Sequence, residues 1–241
     1  MKEIKVWDRS TRIFHWLNFT SIVGLLIVGF FMLYKKELGI TSVEAKISLK
    51  ALHVVIGYVF AANLIWRFVG LFRGGYYSRW AQVFPGRGYV QKLKQFVASE
   101  KVGAPQDYAG HNPKGQLAVL AMFVLLLVMM ISGMVRAGTD IYYPPFGGAV
   151  SAYVAADGVD ASSLVPYDKT GVDAEKMASL KAFKNPFGKI HLYSAYALML
   201  IIFLHILSVV MAEIGAQRGI ISAMFSGSKY FKGEPVDRSR D

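Results

Sequence analysis

Four of the five histidines in this sequence stand in strongly apolar surroundings, where an imidazole is a costly side chain. They are His15, His53, His191 and His205. Neutral imidazole is a good ligand for iron, and two imidazoles on opposed helices at one depth are what a six-coordinate haem iron requires. A single such histidine can equally be a packing residue, hydrogen-bonded to a neighbouring helix. The spacing and depth of all four are therefore needed to distinguish haem ligands from packing residues.

His191 and His205 lie fourteen positions apart in the stretch IHLYSAYALMLIIFLHI. On an α-helix, fourteen residues rise about 21 Å and turn about 1,400°, which is close to four full turns. The spacing therefore predicts that both side chains leave the same side of one helix at two different depths.

The elements that would position these histidines are four long apolar runs. Of the 241 residues, 54% are hydrophobic and the mean hydropathy is +0.37, which is too apolar for an ordinary soluble domain. Each run is long enough to cross a hydrocarbon core of about 30 Å as a helix. The runs cover about 13–34, 51–72, 115–135 and 189–212. We expect an all-α integral membrane protein, a four-transmembrane-helix bundle forming a single domain over 1–241, whose first run remains as an anchor because it is too long for a signal peptide.

Two connections between the runs have features of their own. Residues 87–100 place apolar side chains on one helical face, which predicts a short amphipathic helix on the cytoplasmic membrane surface. The connection at about 136–188 begins with Pro-Pro and Gly-Gly pairs and is expected on the outer side. A loop of that length is usually functional or a docking surface.

The distribution of the 27 lysines and arginines predicts the orientation. With four spans, both termini and the connection between spans two and three share one side, and that side carries most of these residues. The positive-inside rule places it in the cytoplasm. This topology accounts for the net charge of +11. No aromatic-and-basic motif accompanies the basic residues, so we expect no nucleic-acid partner.

The predicted orientation pairs the four histidines by depth. Span one starts inside and span two starts outside, so His15 lies at the inner level and His53 at the outer level. Span four runs inward, which places His191 at the outer level and His205 at the inner level. The predicted axial pairs are therefore His15 with His205 and His53 with His191, one pair for each of two haems.

Two further features concern how such haems would be held. The chain has no cysteine, which excludes covalent C-x-x-C-H attachment, so any haem must be held non-covalently. Haem carboxylates need cations near the membrane surface, and Arg12, Lys50 and Lys189 lie within three residues of a predicted ligand. Cations at the ends of a span also serve as simple interface anchors.

Five segments spread over nearly the whole chain carry a family resemblance. They are VWDRSTRIFHW (6–16), LHVVIGY with WRFVG after it (52–70), GHNPKGQLAVLAMF (110–123), the two histidines of the last span, and SAMFSGSKY (222–230). In these segments the sequence resembles the bacterial di-haem cytochrome b subunits of membrane-bound nickel–iron hydrogenases and, more distantly, the gamma subunit of respiratory formate dehydrogenase. The resemblance implies two b haems with bis-histidine ligation in the pairing above, and electron exchange with a quinone near the inner haem.

The same resemblance implies a quinone site at the start of span three. Asn112 and Gln116 match quinone-site positions, and His111 beside them is suited to help proton transfer. Alternatively, Asn112 is the N-cap of a helix whose first residue is Pro113. Both interpretations can hold together.

The sequence therefore predicts an electron-transfer subunit of a quinone-linked respiratory oxidoreductase in the bacterial inner (cytoplasmic) membrane. It would transfer electrons between a periplasmic redox protein, a hydrogenase or a c-type cytochrome, and the quinone pool. The outer connection is longer than the resemblance leads us to expect, which leaves the identity of the partner open. Whether the chain forms a homo-oligomer is also open. One alternative is a stand-alone quinone oxidoreductase using a small periplasmic molecule such as superoxide or ferric iron. Another is a non-haem metal transporter, which the absence of acidic residues from the four runs disfavours.

Overall fold

The computed structural model describes residues 1–215 and 219–238, and its secondary structure is almost entirely helical. The elements in chain order are β1 (Lys2–Lys5), α1 (Arg9–Leu33), α2 (Val43–Arg73), a 3-10 turn (Tyr76–Ser78), α3 (Trp80–Val83), α4 (Tyr89–Lys101), α5 (Pro113–Ile141), α6 (Gly147–Val154), a second 3-10 turn (Ala161–Ser163), α7 (Ala174–Ile214), α8 (Ile220–Ser226) and β2 (Ser228–Phe231). Strands β1 and β2 pair antiparallel, with Lys2 opposite Phe231.

Four of these helices, α1, α2, α5 and α7, are long and apolar enough to cross a membrane. Many of their large apolar side chains are exposed, such as Ile27, Val55, Val124 and Phe203, as expected for surfaces that meet lipid. This confirms the predicted all-α membrane fold with four spanning helices. The predicted amphipathic helix is also present as α4, which buries Phe96.

Each spanning helix begins at a polar side chain that caps its free amide groups. Asp8 accepts from the Thr11 amide at 2.7 Å, and Ser42 accepts from the amide of Ala45 at 3.1 Å. The same role falls to Asn112 at α5 and Asp173 at α7. Because such caps satisfy backbone donors that have no partner within the helix, they fix where each span starts.

Asp8 does more than cap α1. Its second oxygen accepts from the amide of Gly75 at 2.9 Å, which ties the start of α1 to the segment after α2. Burial acts to raise the pKa of Asp8, but the hydrogen bonds from Thr11 and Gly75 outweigh it and lower the pKa below its usual value of 3.8. The carboxylate is therefore ionised in the folded protein at neutral pH.

The spans are longer than the apolar runs from which they were predicted. Helix α5 continues to Ile141, and α7 begins at Ala174, so the connection between them covers 142–173 rather than 136–188. Helix α7 passes through Pro186 without ending, although a proline often ends or kinks a helix. Its 41 residues correspond to a length of about 62 Å, about twice the thickness of a hydrocarbon core.

The chain divides into two compact units. The first comprises Met1–Leu17, Asn63–Leu125 and Ala197–Asp241, and the second comprises Asn18–Ala62 and Leu126–Tyr196. Each of the four spanning helices contributes one stretch to each unit. The first unit contains His15, His111 and His205, and the second contains His53 and His191.

Candidate functional site

In the second unit, α2 and α7 bring two predicted ligands close together. The ring centroids of His53 and His191 are 6.2 Å apart, and the ring planes are inclined at 73°. Two imidazoles bonded at about 2 Å to one metal between them have centroids about 6 Å apart. The separation of these two rings therefore suits a shared metal-centred group better than direct packing of one ring on the other.

Ser132 on α5 determines which nitrogen of His191 is free. Its hydroxyl donates to the carbonyl oxygen of Val128 at 2.6 Å and lies 2.9 Å from Nδ1 of His191. A serine hydroxyl has a single proton. With that proton directed to Val128, the hydroxyl can accept from His191 Nδ1–H, which is the tautomer in which Nε2 retains its lone pair for a metal.

Two glycines lie against the rings of this pair. A Cβ added at Gly133 would lie 3.3 Å from Cε1 of His191, and one added at Gly29 would lie 3.8 Å from Cε1 of His53. By contrast, a Cβ at Gly57, one turn after His53, would meet nothing within 4 Å. The His191 ring therefore lies against the surface of α5 at Ser132 and Gly133.

The first unit contains the other predicted pair. His15 and His205 are close enough to interact electrostatically, and Nδ1 of His15 is buried without a hydrogen-bond partner. Arg12, one turn before His15, donates from Nη1 to the carbonyl oxygen of Phe225, while its buried Nε has no partner. A buried guanidinium N–H without an acceptor is costly, so this position suits an anionic group that the polypeptide does not supply.

The two lysines predicted to contact haem carboxylates differ in their surroundings. Lys189 is exposed. Lys50 is half-buried and donates to Oδ2 of Asp140 at 2.9 Å. Asp140 is 7% exposed and also pairs with Arg136 at 2.6 Å and Lys184 at 3.0 Å. We call these four residues the Asp140 cluster.

At the start of α5, the residues predicted to bind quinone have structural bonds of their own. Asn112 accepts from the amide of Gly115 at 2.8 Å and so caps the helix, as the second interpretation of this motif predicted. The amide nitrogen of Gln116 donates to the carbonyl oxygen of Gln82 at 2.9 Å. These bonds fix both side chains beside His111.

His111 itself is partly buried, with its ring 4.9 Å from that of Trp7. Burial, together with the nearby charges of Lys229 and Arg67, lowers the pKa of His111 from 6.5 to about 3. The ring is therefore neutral at neutral pH, and its buried Nδ1 has no hydrogen-bond partner. A neutral imidazole can hydrogen-bond to a ligand, but it does not store a proton at neutral pH.

The comparisons with known proteins decide the family. The family model described as prokaryotic cytochrome b561 matches residues 6–227. The chain belongs to the prokaryotic cytochrome b561 family. This confirms the resemblance found in the sequence.

Curated relatives of this cytochrome carry the name probable Ni/Fe-hydrogenase B-type cytochrome subunit. One from Rhizobium leguminosarum bv. viciae is 26% identical over 246 residues, which cover 96% of this chain and 90% of the relative. One from Bradyrhizobium diazoefficiens is 22% identical over 240 residues, covering 95% and 87%. The probable Ni/Fe-hydrogenase 1 B-type cytochrome subunit of Escherichia coli strain K12 is 29% identical over 141 residues, covering 53% and 57%.

Membership of this family implies a b-type haem, and the described residues fit such a group. The spacing of His53 and His191 suits a metal between them, and Ser132 leaves Nε2 of His191 free. The unpartnered nitrogens of His15 and Arg12 fit a ligand and an anion from outside the polypeptide. Within residues 1–215 and 219–238, no group of three or more His, Cys, Asp or Glu forms a conventional metal-ion site.

The sequence did not reveal every residue of this site. Ser132 and Gly133 stand in the run MMISGMV, where a serine signals only a hydrogen bond to some partner. Gly29 is one of many small residues in the apolar runs. The Asp140 cluster draws its members from three helices, and no linear motif connects them.

Proposed function

We propose that this cytochrome is a di-haem electron carrier of the bacterial inner membrane, with both termini in the cytoplasm. It would pass electrons between a redox protein on the periplasmic face and quinone near the cytoplasmic face. A b-type haem supplies reversible one-electron transfer at each of two levels. The observation that carries the proposal is the division of the four span histidines, with one pair in each compact unit.

In this proposal each histidine pair would bind one haem. His53 and His191 would hold the outer haem through one nitrogen each, with Ser132 fixing the tautomer of His191. His15 and His205 would hold the inner haem, with the free Nε of Arg12 directed to a haem carboxylate. Such paired ligation in a helical membrane protein is a common use of facing spans.

The quinone end of the proposal rests on the residues before and within the first turn of α5. The buried Nδ1 of His111 has no protein partner, so it can form a hydrogen bond to a quinone carbonyl oxygen or a quinol hydroxyl. Asn112 and Gln116 would shape the site, because their bonds to Gly115 and Gln82 hold this turn in place. Reduction of a quinone to a quinol takes up two electrons and two protons. Both protons would come from water at the cytoplasmic surface, since a histidine of such low pKa does not store one.

The partner is proposed from the names of the relatives. The names describe the relatives as subunits of Ni/Fe-hydrogenases. We propose a nickel–iron hydrogenase as the electron donor of this chain as well. The segment 142–173 between α5 and α7 exposes Phe146, Tyr153, Val165 and Tyr167, each about half accessible. Exposed aromatic and aliphatic side chains of this kind suit a protein-docking surface.

The proposal is tested by counting and assigning haems. A pyridine haemochrome assay on the purified chain should return two b haems. His53→Ala and His191→Ala should each lose the same haem in a redox titration, and His15→Ala and His205→Ala should each lose the other. One haem per chain, or ligand variants that pair differently, would overturn the proposal.

The quinone and partner steps need their own assays. In proteoliposomes, the chain with its hydrogenase should reduce quinone on addition of hydrogen. Turnover with a small periplasmic reductant alone, and none with hydrogenase, would instead support a stand-alone oxidoreductase.

A further inference from the structure

We propose that the Asp140 cluster is the carboxylate-binding site for the outer haem, in which Lys50, Arg136 and Lys184 receive the two haem propionates. This rests on the proposed di-haem function. It retains one of the three cations expected from sequence and adds two that the sequence did not indicate. The second unit contains every residue involved.

The first step of the argument is convergence. Three cations from three different helices meet at one carboxylate: Lys50 of α2 at 2.9 Å, Arg136 of α5 at 2.6 Å and Lys184 of α7 at 3.0 Å. Asp140 is 7% exposed, and the side chains of the three cations are 18–32% exposed. The cluster is thus partly removed from water.

The second step is charge. Three cations and one carboxylate leave an excess of two positive charges at a position that is partly removed from water. Excess charge of this kind is unfavourable without further anions, because the attraction to one carboxylate does not compensate the desolvation of three cations. The two propionates of one haem supply two negative charges, which would make the site neutral.

The third step is position relative to the proposed ligands. Lys50 lies three residues before His53, and Lys184 lies seven residues, or about two helical turns, before His191. Arg136 follows Ser132 by one turn and is close enough to His191 to interact with it electrostatically. The cluster is therefore beside both ligands of one haem.

A glycine permits the position of Arg136. A Cβ at Gly188 would lie 2.7 Å from Nη1 of Arg136, so a side chain there would displace the guanidinium. Gly188 lies three residues before His191 on the same helix. The missing side chain lets the guanidinium lie against α7 close to the level of the proposed ligand.

The competing explanation is a purely structural role, in which Asp140 ties three helices together and binds no further anion. The two explanations differ in how they depend on the haem carboxylates. The test uses the full-length chain prepared without haem and titrated with either haem or haem dimethyl ester, which lacks the two negative charges. The inner site provides an internal reference in every titration.

Lys184→Gln should weaken binding of haem at the outer site by between about tenfold and a hundredfold, the effect of losing one charge-assisted hydrogen bond. It should leave binding of the ester unchanged. Asp140→Asn should act in the opposite direction, binding haem more tightly, because the cations no longer share an internal carboxylate. Lys181→Gln is the matched control, since Lys181 is an exposed lysine of the same helix.

The proposal is overturned if Lys184→Gln weakens haem and ester equally, or if Asp140→Asn weakens both, since each result indicates a structural tie. It is also overturned if neither variant changes haem binding. Failure of the underlying function gives a different result, namely a wild-type chain that takes up fewer than two haems. Circular dichroism of each variant verifies that the helices remain folded.

Discussion

Replacing Ser132 by alanine tests whether one hydroxyl controls the electronic character of the outer ligand. Ser132 is 2% exposed, and its hydroxyl is 2.9 Å from Nδ1 of His191. The substitution removes the side-chain acceptor of this N–H and leaves only the backbone of Met129 as its partner. An imidazole that donates a hydrogen bond from Nδ1 has more anionic character, which favours the oxidised iron with its additional positive charge. Ser132→Ala should therefore raise the midpoint potential of the outer haem.

The size of this effect follows from the strength of one hydrogen bond. A net contribution of about 0.5–1.5 kcal/mol, expressed mainly in the oxidised state, corresponds to about 20–60 mV for one electron. The assay is a potentiometric titration followed in the haem absorption bands. The outer haem is assigned as the component that His53→Ala removes.

The control for this experiment lies on the same helix. Thr139 is also buried, and its hydroxyl bonds only to its own helix, at the carbonyl oxygen of Val135 at 2.9 Å. Thr139→Val removes a hydroxyl at nearly constant volume and should leave both potentials in place. An unchanged or lowered outer potential in Ser132→Ala, with both haems retained, would refute the tautomer assigned to His191.

Three further predictions concern other parts of the chain. Gly133→Ala adds a Cβ only 3.3 Å from the His191 ring and should reduce outer-haem content in a pyridine haemochrome assay. Gly57→Ala is the control, because a Cβ there meets nothing within 4 Å and should leave the haem content unchanged. Equal effects of the two substitutions would contradict the proposed contact. Asp8→Ala should destabilise the fold by about 1–2 kcal/mol in thermal unfolding at neutral pH. Because the pKa of Asp8 is lowered in the folded state, its stabilising charge is fully present above the unfolded pKa of about 3.9 and is lost as pH falls through the folded pKa. The unfolding temperatures of wild type and variant should therefore converge at strongly acidic pH. A difference that stays constant with pH would argue against this. His111→Phe should lower quinone turnover by about tenfold while both haems remain, and unaltered turnover would exclude the hydrogen bond from Nδ1.

Much of the fold could be predicted because a membrane imposes simple rules on a sequence. Twenty apolar residues in succession specify a spanning helix, and the helical period relates His191 to His205 without any tertiary information. The ends of the spans were less predictable. Arg136 and Asp140 are charged, so the apolar pattern stops before them, yet α5 continues to Ile141 and the two side chains form an ion pair one turn apart.

The details of the site depend on contacts between helices, which a linear pattern does not contain. That Ser132 bonds to His191 depends on the relative rotation of α5 and α7. That Lys50 is directed to Asp140 depends on a pairing across 90 positions of sequence. Residue type and depth suffice to propose the four ligands, but they do not indicate which groups orient them.

The proline inside α7 has a mechanical consequence. Pro186 has no N–H to donate to the carbonyl oxygen of Ala182, so the helix is weakened at this turn. Bending at Pro186 would therefore move the stretch Ala174–Asn185 relative to the part of α7 that contains His191. Lys184 belongs to that stretch and pairs with Asp140 at 3.0 Å, so a protein that bends α7 at Pro186 would disturb the proposed carboxylate site before it moves His191.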